Sequence, residues 1–346
     1  MSPGWISLRI VPSIRVVENY RLHPNDRRRK KTPLLILTCP GDAFRVCSMI
    51  RPKALLIGNF DGVHRGHQQL IRLAVEAAKQ FGGKAVALTF DPHPARILSP
   101  EHAPPLLTTL LRKRELLLAA GLDEVLVQQF TADFSTLSPE AFVQTTLAHL
   151  NIQTIFVGQD FRFGKDREGT HKTLTELGQH FGYTTEIVPS IRIEGEVVSS
   201  SRIRQALRTG DLKTAETLLG RPFDFDGQVV RGDRRGRTLG FATANLLTQT
   251  EALPKDGVYA VRVYLPIQNR KMPVAQGVMN IGTRPTFNAG RSIEVHLLDV
   301  DQDLYDQILR VECVTRLRDE QKFEKIEALR SQIARDIEQA RSVFSH

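Results

Sequence analysis

The stretch Ala-Leu-Leu-Ile-Gly-Asn-Phe-Asp-Gly-Val-His-Arg-Gly-His, residues 54–67, joins an apolar run to a glycine-rich turn. Its first four residues predict a buried strand, and the apolar spacing over residues 67–81 predicts a helix that begins where the turn ends. A second apolar run, residues 85–90, predicts another strand. These segments form a strand, helix, strand unit in which the turn leads from the first strand into the helix.

The same alternation continues along the chain. Apolar runs at residues 125–127 and 154–158 predict two further strands with a helix between them. That helix has Ser138 as its N-cap and Pro139 at its first position, which is a favoured arrangement at a helix start. Strands that alternate with helices are typical of a parallel α/β sheet, so we expect this fold class for the N-terminal half.

The pattern changes after Gly220, where strands follow one another without intervening helices. Such a pattern predicts an antiparallel β-barrel. Five strands are expected, over residues 227–230, 258–264, 274–280, 293–299 and 309–316. A final helix is expected to pack on the barrel through one apolar face, formed by Phe323, Ile326, Leu329, Ile333, Ile337 and Ala340.

We therefore expect two domains, over residues 49–220 and 221–346, preceded by a disordered extension over residues 1–48. The extension has no sustained apolar periodicity, and Met49 offers an alternative start. It carries nine basic and three acidic side chains, so six of the nine net positive charges of the chain lie there. A basic run of this kind could bind nucleic acid through residues 21–31. The run, however, lacks the interleaved aromatic side chains on which bases stack. We expect no nucleic-acid partner.

The composition excludes several other classes. The chain has 346 residues, of which 41% are hydrophobic and 25% charged, as in an ordinary globular protein with room for two cores. Its three cysteines, Cys39, Cys47 and Cys313, have no Cys-x-x-Cys spacing and cannot all pair, so we expect a reducing cytoplasm. No apolar run approaches the roughly 18 residues of a membrane span, so we expect no membrane association.

Two histidines mark the glycine-rich turn as a candidate site. His64 and His67 lie three residues apart where the predicted helix begins, and a helix N-terminus favours anions. Both rings could donate hydrogen bonds to the charge that develops on a departing diphosphate. A bare His-x-x-His pair is also compatible with a metal site, but the glycine context favours the phosphate interpretation.

A second polar cluster, Ser-Ser-Ser-Arg-Ile-Arg at residues 199–204, lies where another helix should start. Its hydroxyls, backbone amides and arginine forks could converge on one phosphate, although an N-cap serine with solvated arginines would show the same pattern. The loops at residues 158–164 and 90–94 both follow strands, where doubly wound sheets bind ligands.

These four segments resemble the FMN adenylyltransferase domain of bacterial bifunctional riboflavin kinase/FAD synthetases, a Rossmann-like nucleotidylyltransferase fold. The resemblance implies that His64, His67 and Arg204 stabilise the transferred phosphates. The implied ATP-binding residues are Asn59, Phe60, Asp61, Gly62, Gly66, Asp160, Ser200 and Ser201. The implied flavin-binding residues are Asp91, Phe161 and Phe163. The family usually has threonine where this chain has Ser201, which keeps the hydroxyl.

The C-terminal half contains a candidate nucleotide loop, residues 227–246, in which a strand is followed by glycines and arginines. The loop could wrap phosphates through its backbone amides. Thr243 and Asn245 would face the same way on a strand, and their neutral oxygens suit a Mg²⁺ that keeps waters and phosphate oxygens. Ordinary turn polarity is the alternative interpretation of this pair.

This loop resembles the riboflavin kinase signature, as do residues 277–287, 294–299 and 318–323. By that resemblance Glu294, which would otherwise be read as a solvent-facing strand residue, is the base for the ribityl 5′-hydroxyl. The same resemblance implies that Thr243 and Asn245 bind Mg²⁺ with ATP. The remaining implied residues are Gly232, Arg237 and Gly240 for ATP, and Arg318 and Glu320 for the flavin. The family normally has proline where this chain has Ala242, which could loosen the Mg²⁺ ligands.

The resemblance implies an enzyme that phosphorylates riboflavin to FMN and then adenylylates FMN to FAD, with ATP as co-substrate of both steps. One alternative stays open. One of the two active sites could be degenerate, which would leave only a kinase or only an adenylyltransferase.

Overall fold

The computed structural model describes residues 14–15, 51–231, 241–265, 273–283, 291–300 and 302–345. The chain forms two compact units. The α/β unit contains the described residues up to Asn59, Gln69–Ala103 and Leu117–Pro189. The barrel unit contains Phe60–Gln68, Pro104–Leu116 and the described residues from Ser190 onward. The chain therefore passes from one unit to the other several times before residue 190.

The α/β unit is built on a six-stranded sheet with the order β1-β4-β3-β2-β5-β8. Five of these strands are parallel, as the alternating pattern predicts, and β1 is an antiparallel edge strand. The strands are β1 (Ile14–Arg15), β2 (Lys53–Ile57), β3 (Lys84–Asp91), β4 (Glu124–Gln129), β5 (Ile152–Gly158) and β8 (Thr184–Val188). A two-stranded ribbon consists of β6 (Arg162–Phe163) and β7 (Gly169–Thr170).

Strand β2 lies in the middle of this sheet, between β3 and β5. Its residues Ala54, Leu55 and Leu56 are completely buried. A central parallel strand is covered on both faces, which explains why it is a continuous apolar run rather than an alternating one. The edge strand β1 belongs to the predicted extension and pairs Ile14 and Arg15 with Gln128 and Val127 of β4.

Helices follow most of the strands as far as residue 219. They are α1 (Arg65–Gln80), α2 (Pro94–Leu98), α3 (Leu110–Ala119), α4 (Ala132–Ser135), α5 (Pro139–Phe142), α6 (His171–Phe181), α7 (Ser200–Thr209) and α8 (Leu212–Leu219). The side chain of Ser138 accepts a hydrogen bond from the backbone N–H of Ala141, so the predicted N-cap is confirmed. Helix α1 begins two residues earlier than the apolar spacing predicts.

The barrel unit contains a closed antiparallel barrel with the strand order β11-β12-β15-β14-β13-β16. The preceding hairpin consists of β9 (Arg192–Ile193) and β10 (Glu196–Val197). The barrel strands are β11 (Phe223–Val230), β12 (Ala244–Thr248), β13 (Gly257–Tyr264), β14 (Ala275–Thr283), β15 (Arg291–Leu297) and β16 (Ile308–Arg318). The predicted barrel is confirmed. It contains six strands instead of the five expected, and β12 is the additional one.

Helices α7 and α8 share one apolar core with the barrel. Ile203, Leu207 and Leu218 of these helices belong to the same buried cluster as Phe225 and Tyr259 of the barrel strands. The core of the barrel unit therefore includes residues that precede Gly220, although the functional boundary predicted there stays a prediction.

The last helix, α9 (Ile326–Phe344), packs on the outer face of the barrel. Its Ala340 is completely buried against Val258, Ala260 and Val278. The N-terminal part of the expected apolar face is wrong, because Phe323 precedes the helix and Ile326 is 66% exposed. Among the described helices, none is long and apolar enough to cross a membrane.

Candidate active sites

The turn after β2 has an unusual backbone. Gly62 has a φ of +81°, and Phe60 and Val63, which are not glycines, have φ values of +50° and +43°. A positive φ is uncommon for non-glycine residues and is an outlier for a β-branched one such as Val63. A Cβ on Gly62 would also lie 2.9 Å from Cδ1 of Leu107. Both the positive φ and this close contact therefore favour glycine at position 62. Such strain persists only where surrounding contacts over-determine the conformation.

The carboxylate of Asp61 supplies several of these contacts from inside the turn. It is 4% exposed and accepts hydrogen bonds from the backbone N–H groups of Leu107 and Thr108, each at 3.1 Å. The hydroxyl of Thr108 donates to it at 3.2 Å, and the backbone N–H of Gly62 donates to that same hydroxyl oxygen at 3.2 Å. Asp61 thus joins the turn to the segment that precedes α3.

Arg204 and Ser200 of α7 complete this arrangement. Nη2 of Arg204 donates to Asp61 at 2.6 Å, and its Nε donates to the carbonyl of Pro105 at 2.7 Å. The hydroxyl of Ser200 donates to the backbone carbonyl of Asp61 at 2.9 Å. Ser201 is exposed in the first turn of the helix. Sequence reasoning thus selected residues that do meet, but Asp61 uses its carboxylate on the protein's own donors.

The two histidines lie against each other. The rings of His64 and His67 stack at 3.6 Å, and Phe60 meets His67 edge-on at 5.3 Å. Burial lowers the pKa of His64 from 6.5 to about 4, despite the nearby charge of Asp61. Burial also lowers the pKa of His67, and the neighbouring His64 adds to that effect. Both imidazoles are therefore neutral near pH 7.

The hydrogen bonding assigns a tautomer to His64. The backbone N–H of His67 donates to Nδ1 of His64 at 3.4 Å, so Nδ1 is the acceptor and the ring proton is on Nε2. A Cβ on Gly66 would lie 3.1 Å from Cε1 of His64, which explains why a glycine follows this ring so closely. A neutral imidazole whose Nε2 carries the proton can donate a hydrogen bond to developing negative charge without transferring that proton.

The α/β unit positions the other adenylyltransferase candidates at the carboxyl edge of its sheet. Asn59, Asp91 and Asp160 come at or just after the ends of β2, β3 and β5, which are neighbours in the sheet. Phe161 and Phe163 stack at 5.5 Å, but Phe163 is only 8% exposed and also packs on Phe142 in the apolar core. Part of this aromatic pair therefore supports the loop itself.

The kinase candidates form a row across three barrel strands. Glu294 of β15 lies directly opposite Asn245 of β12 on one side and Asn280 of β14 on the other. All three side chains are half-buried, whereas Ile293 and Val295 beside Glu294 are buried in the barrel core. Since side chains alternate along a strand, the row lies on the outer face of the barrel. Among the described residues the side-chain carboxylate of Glu294 has no hydrogen-bond partner.

Thr243 lies just before β12, two positions from Asn245. The pair offers a hydroxyl and an amide oxygen, and hard oxygen ligands of this kind suit Mg²⁺ that also binds phosphate oxygens. Within the described ranges, no group of three or more His, Cys, Asp and Glu side chains could hold a metal ion. The hydroxyl and the amide oxygen of Thr243 and Asn245 would leave most of the coordination of such an ion to waters and phosphate oxygens.

Comparison with known proteins is decisive for the family. The family model described as FAD synthetase matches residues 48–202, and the model described as riboflavin kinase matches residues 219–344. The curated bifunctional riboflavin kinase/FMN adenylyltransferase of Escherichia coli K12 is 41% identical over 84% of this chain and 92% of its own length. The protein of that name from Bacillus subtilis is 38% identical over 84% and 92%.

The chain belongs to the bifunctional riboflavin kinase/FMN adenylyltransferase family. A solved structure from Streptococcus pneumoniae, described as a macrolide-efflux protein, is also similar, with 33% identity, a TM-score of 0.75, and coverage of 84% of this chain and 94% of that one. The family resemblance inferred from the motifs is thus confirmed, while the individual residue roles stay predictions.

The structure describes only some of the kinase residues that the resemblance implies for ATP and flavin binding. Gly232, Arg237 and Gly240 lie outside the described residues. Arg318 makes a two-pronged ion pair with Asp336, at 2.8 and 2.7 Å, which ties the end of β16 to α9. The carboxylate of Glu320 lies so close to Gly282 that a Cβ there would overlap it.

Sequence reasoning missed several residues that hold the strained turn. Thr108, Gln68 and Arg221 all donate or accept hydrogen bonds there, and Thr108 and Arg221 come from segments far along the chain from it. In the sequence, Arg221 is only the first residue of the expected second domain, between Gly220 and Pro222. No periodicity or spacing rule links it to the turn, since the contact spans 159 positions.

Proposed function

We propose that this chain makes FMN from riboflavin and then FAD from FMN, each step consuming one ATP. The observation that carries the proposal is the match of both halves of the chain to family models, together with the bifunctional relatives that the chain covers almost end to end. The stacked rings of His64 and His67 and the pairing of Glu294 with Asn245 support one proposed site for each step.

In the FAD-forming step an oxygen of the FMN phosphate attacks the α-phosphorus of ATP. The bond to the bridging oxygen breaks, and diphosphate leaves. The nucleophile is already ionised, so the step needs no general base, and catalysis consists of positioning and charge stabilisation. His64, His67 and Arg204 are the proposed donors to the phosphates. Asp61 acts through Arg204, whose guanidinium it orients at 2.6 Å.

In the FMN-forming step the nucleophile is an alcohol, so a base is useful. Glu294 accepts the proton of the ribityl 5′-hydroxyl as that oxygen attacks the γ-phosphorus of ATP, and ADP leaves. Thr243 and Asn245 would hold the Mg²⁺ that accompanies ATP, which neutralises phosphate charge. The register that sets Asn245 directly opposite Glu294 supports this division of roles.

The direct test is a time course of purified protein with riboflavin, ATP and Mg²⁺, with FMN and FAD resolved by chromatography. FMN should appear first and FAD should follow. A second reaction supplied with FMN instead of riboflavin should give FAD without a lag. Absence of both products from both reactions would refute the proposal.

The second candidate function is a single activity, with the kinase step lost. It is suggested by Ala242, which stands where the family normally has proline. The backbone carbonyl of Ala242 accepts a hydrogen bond from Nδ1 of His296 at 2.7 Å, which restrains the segment where the family normally has proline. This contact supports retention of the kinase activity. FAD from FMN but no FMN from riboflavin would favour the single-activity candidate.

A cytoplasmic location stays a prediction.

A further inference from the structure

Arg221 lies in the segment matched by the riboflavin kinase model, yet its guanidinium contacts the turn that carries His64. Its Nη2 donates to the backbone carbonyl of Gly62 at 2.9 Å, and its Nη1 approaches the carbonyl of Val63 at 3.4 Å. The side chain is 21% exposed. A planar guanidinium can bridge two oxygens held at a fixed spacing, which an ammonium cannot.

The alternative explanation for Arg221 is an ion pair within the start of the barrel. Asp224 is the available carboxylate, but its oxygen lies 3.8 Å from Nε of Arg221. Asp224 is instead paired with Arg112 through two bonds of 2.7 Å. Nε of Arg221 is buried and has no hydrogen-bond partner among the described residues. The shortest contact of Arg221 is therefore with the turn.

The two carbonyls that Arg221 contacts belong to the strained part of that turn. The carbonyl of Val63 is part of the peptide group that leads into His64, so holding it fixes the plane from which the imidazole projects. Gln68 donates to the same carbonyl at 2.9 Å from within α1. Because Val63 is a β-branched residue with a positive φ of +43°, its conformation depends on such external contacts.

We propose that Arg221 is a positioning residue for FAD synthesis, supplied to the adenylyltransferase turn by the kinase segment of the chain. It holds the carbonyls of Gly62 and Val63 and thereby sets the orientation of His64. The proposal rests on the proposed function of that site. It predicts that the FAD-forming reaction depends on a residue beyond position 202, where the FAD synthetase match ends.

The test compares Arg221→Ala and Arg221→Lys with Arg208→Ala in the full-length protein. Arg208 is an exposed arginine of α7 whose guanidinium, among the described residues, donates only to Gln205, so its loss controls for the loss of one positive charge. Each protein is assayed for kcat and KM of FAD formation from FMN, for FMN formation from riboflavin, and for its thermal unfolding midpoint.

Arg221→Ala should lower kcat for FAD formation about 10- to 100-fold, because small misplacements of catalytic groups have effects of that order. KM for ATP and the rate of FMN formation should stay within about twofold of wild type, since neither depends on the orientation of His64 in the transition state. Arg221→Lys should fall between, and methylguanidine should restore part of the activity of Arg221→Ala. Arg208→Ala should match wild type.

Equal loss of both activities in Arg221→Ala and Arg221→Lys, with no response to methylguanidine, would assign Arg221 a purely structural role and overturn the inference. Unchanged FAD formation in both variants would overturn it as well. If wild-type protein itself formed no FAD, the proposed function would fail instead, so the two failures are distinguishable. Should Arg221→Ala not fold, the lysine variant alone gives the same comparison of the two reactions.

Discussion

The two candidate sites are held in place by different means. The turn of residues 60–64 has three positive φ values and is fixed by side chains from distant segments, among them Arg204 and Arg221. The row of Asn245, Glu294 and Asn280 lies on regular strands whose register is set by backbone pairing. The first site depends on many specific contacts, and the second depends on the barrel as a whole.

This difference has a functional consequence. A substitution that loosens one contact of the turn should reduce FAD formation without affecting FMN formation. A substitution of similar size beside the row should matter only when it removes a reacting side chain, because the backbone ladder still fixes the neighbours. The rate of each reaction therefore serves as an internal control for the rate of the other.

The largest effect is expected from the double variant His64→Ala, His67→Ala. Each lost donor should raise the barrier of FAD formation by roughly 3 kcal/mol, so the double variant should lose on the order of 10⁴-fold in rate. FMN formation should be unchanged, because none of the kinase candidates that the structure describes contacts either ring. Rates of both reactions in one preparation provide the measurement. The matched control is His180→Ala, an exposed histidine of α6.

If FAD formation survives in that double variant, the histidines are not the phosphate donors. A parallel loss of both activities would instead indicate that the stacked pair is needed for folding.

Glu294→Gln should produce the next largest effect, which should fall on FMN formation instead of FAD formation. The amide keeps the shape of the side chain but cannot accept the hydroxyl proton, so FMN formation should fall by about 10²- to 10⁴-fold. Riboflavin binding, followed by flavin fluorescence, should persist, and FAD formation from supplied FMN should not change. Glu338→Gln, at an exposed position of α9, is the control. Equal FMN formation in Glu294→Gln and wild type would remove Glu294 as the base.

The sequence predicted the row better than it predicted the turn. Periodicity located the strands of Glu294 and Asn280, and once strands are known, side-chain alternation places the two residues on one face. The strand that carries Asn245 is not among the five expected barrel strands, because its short apolar run follows a glycine-rich loop. The pair Thr243 and Asn245 was nevertheless expected to share one face of a strand. The turn was recognised as a motif, but its contacts with Thr108 and Arg221 span 46 and 159 positions. Local pattern has no information on pairings of that length.

The same limit applies to the fold. The parallel sheet and the barrel follow from the spacing of apolar residues, whereas the burial of α7 and α8 in the barrel core does not. Ile203 and Leu218 show ordinary amphipathic spacing, which says that one face is buried but not what covers it.

Gly62→Ala should sharpen the comparison with an intermediate effect. The new Cβ would meet Cδ1 of the buried Leu107 at 2.9 Å on a backbone with φ +81°, so either this methyl group or the turn must shift. FAD formation should fall by roughly tenfold or more, with FMN formation retained, because displacements near 1 Å at a catalytic group have such effects. Gly82→Ala is the matched control, since Gly82 also has a positive φ (+67°) but no atom within 4 Å of the added Cβ. If Gly62→Ala and Gly82→Ala behave alike, steric fit at the turn is unimportant.

A smaller effect is expected on stability as the pH falls. The pKa of His64 is lowered to about 4 by burial, while that of an unfolded histidine is 6.5. Between these values the unfolded state binds more protons, so the free energy of unfolding should decrease as pH drops from 6.5 towards 4. The shift of the His67 pKa acts in the same direction. Denaturant unfolding at pH 7, 6, 5 and 4 should show a shallower decline in His64→Ala, His67→Ala than in wild type, and equal slopes would contradict the assignment of neutral rings.

The smallest effect is expected when the chain starts at Met49. In the part of residues 1–48 that the structure describes, Ile14 and Arg15 pair with β4. All the candidate site residues of both activities lie beyond position 58. Loss of so short a pairing should reduce stability by about 1 kcal/mol, the usual net contribution of one or two hydrogen bonds. Both rates should therefore stay within about twofold of the full chain, and the two thermal unfolding midpoints provide the second measurement. If the shortened chain lost FAD formation but kept FMN formation, β1 would be a further remote support of the first site. Loss of both activities would make residues 1–48 part of the folded core.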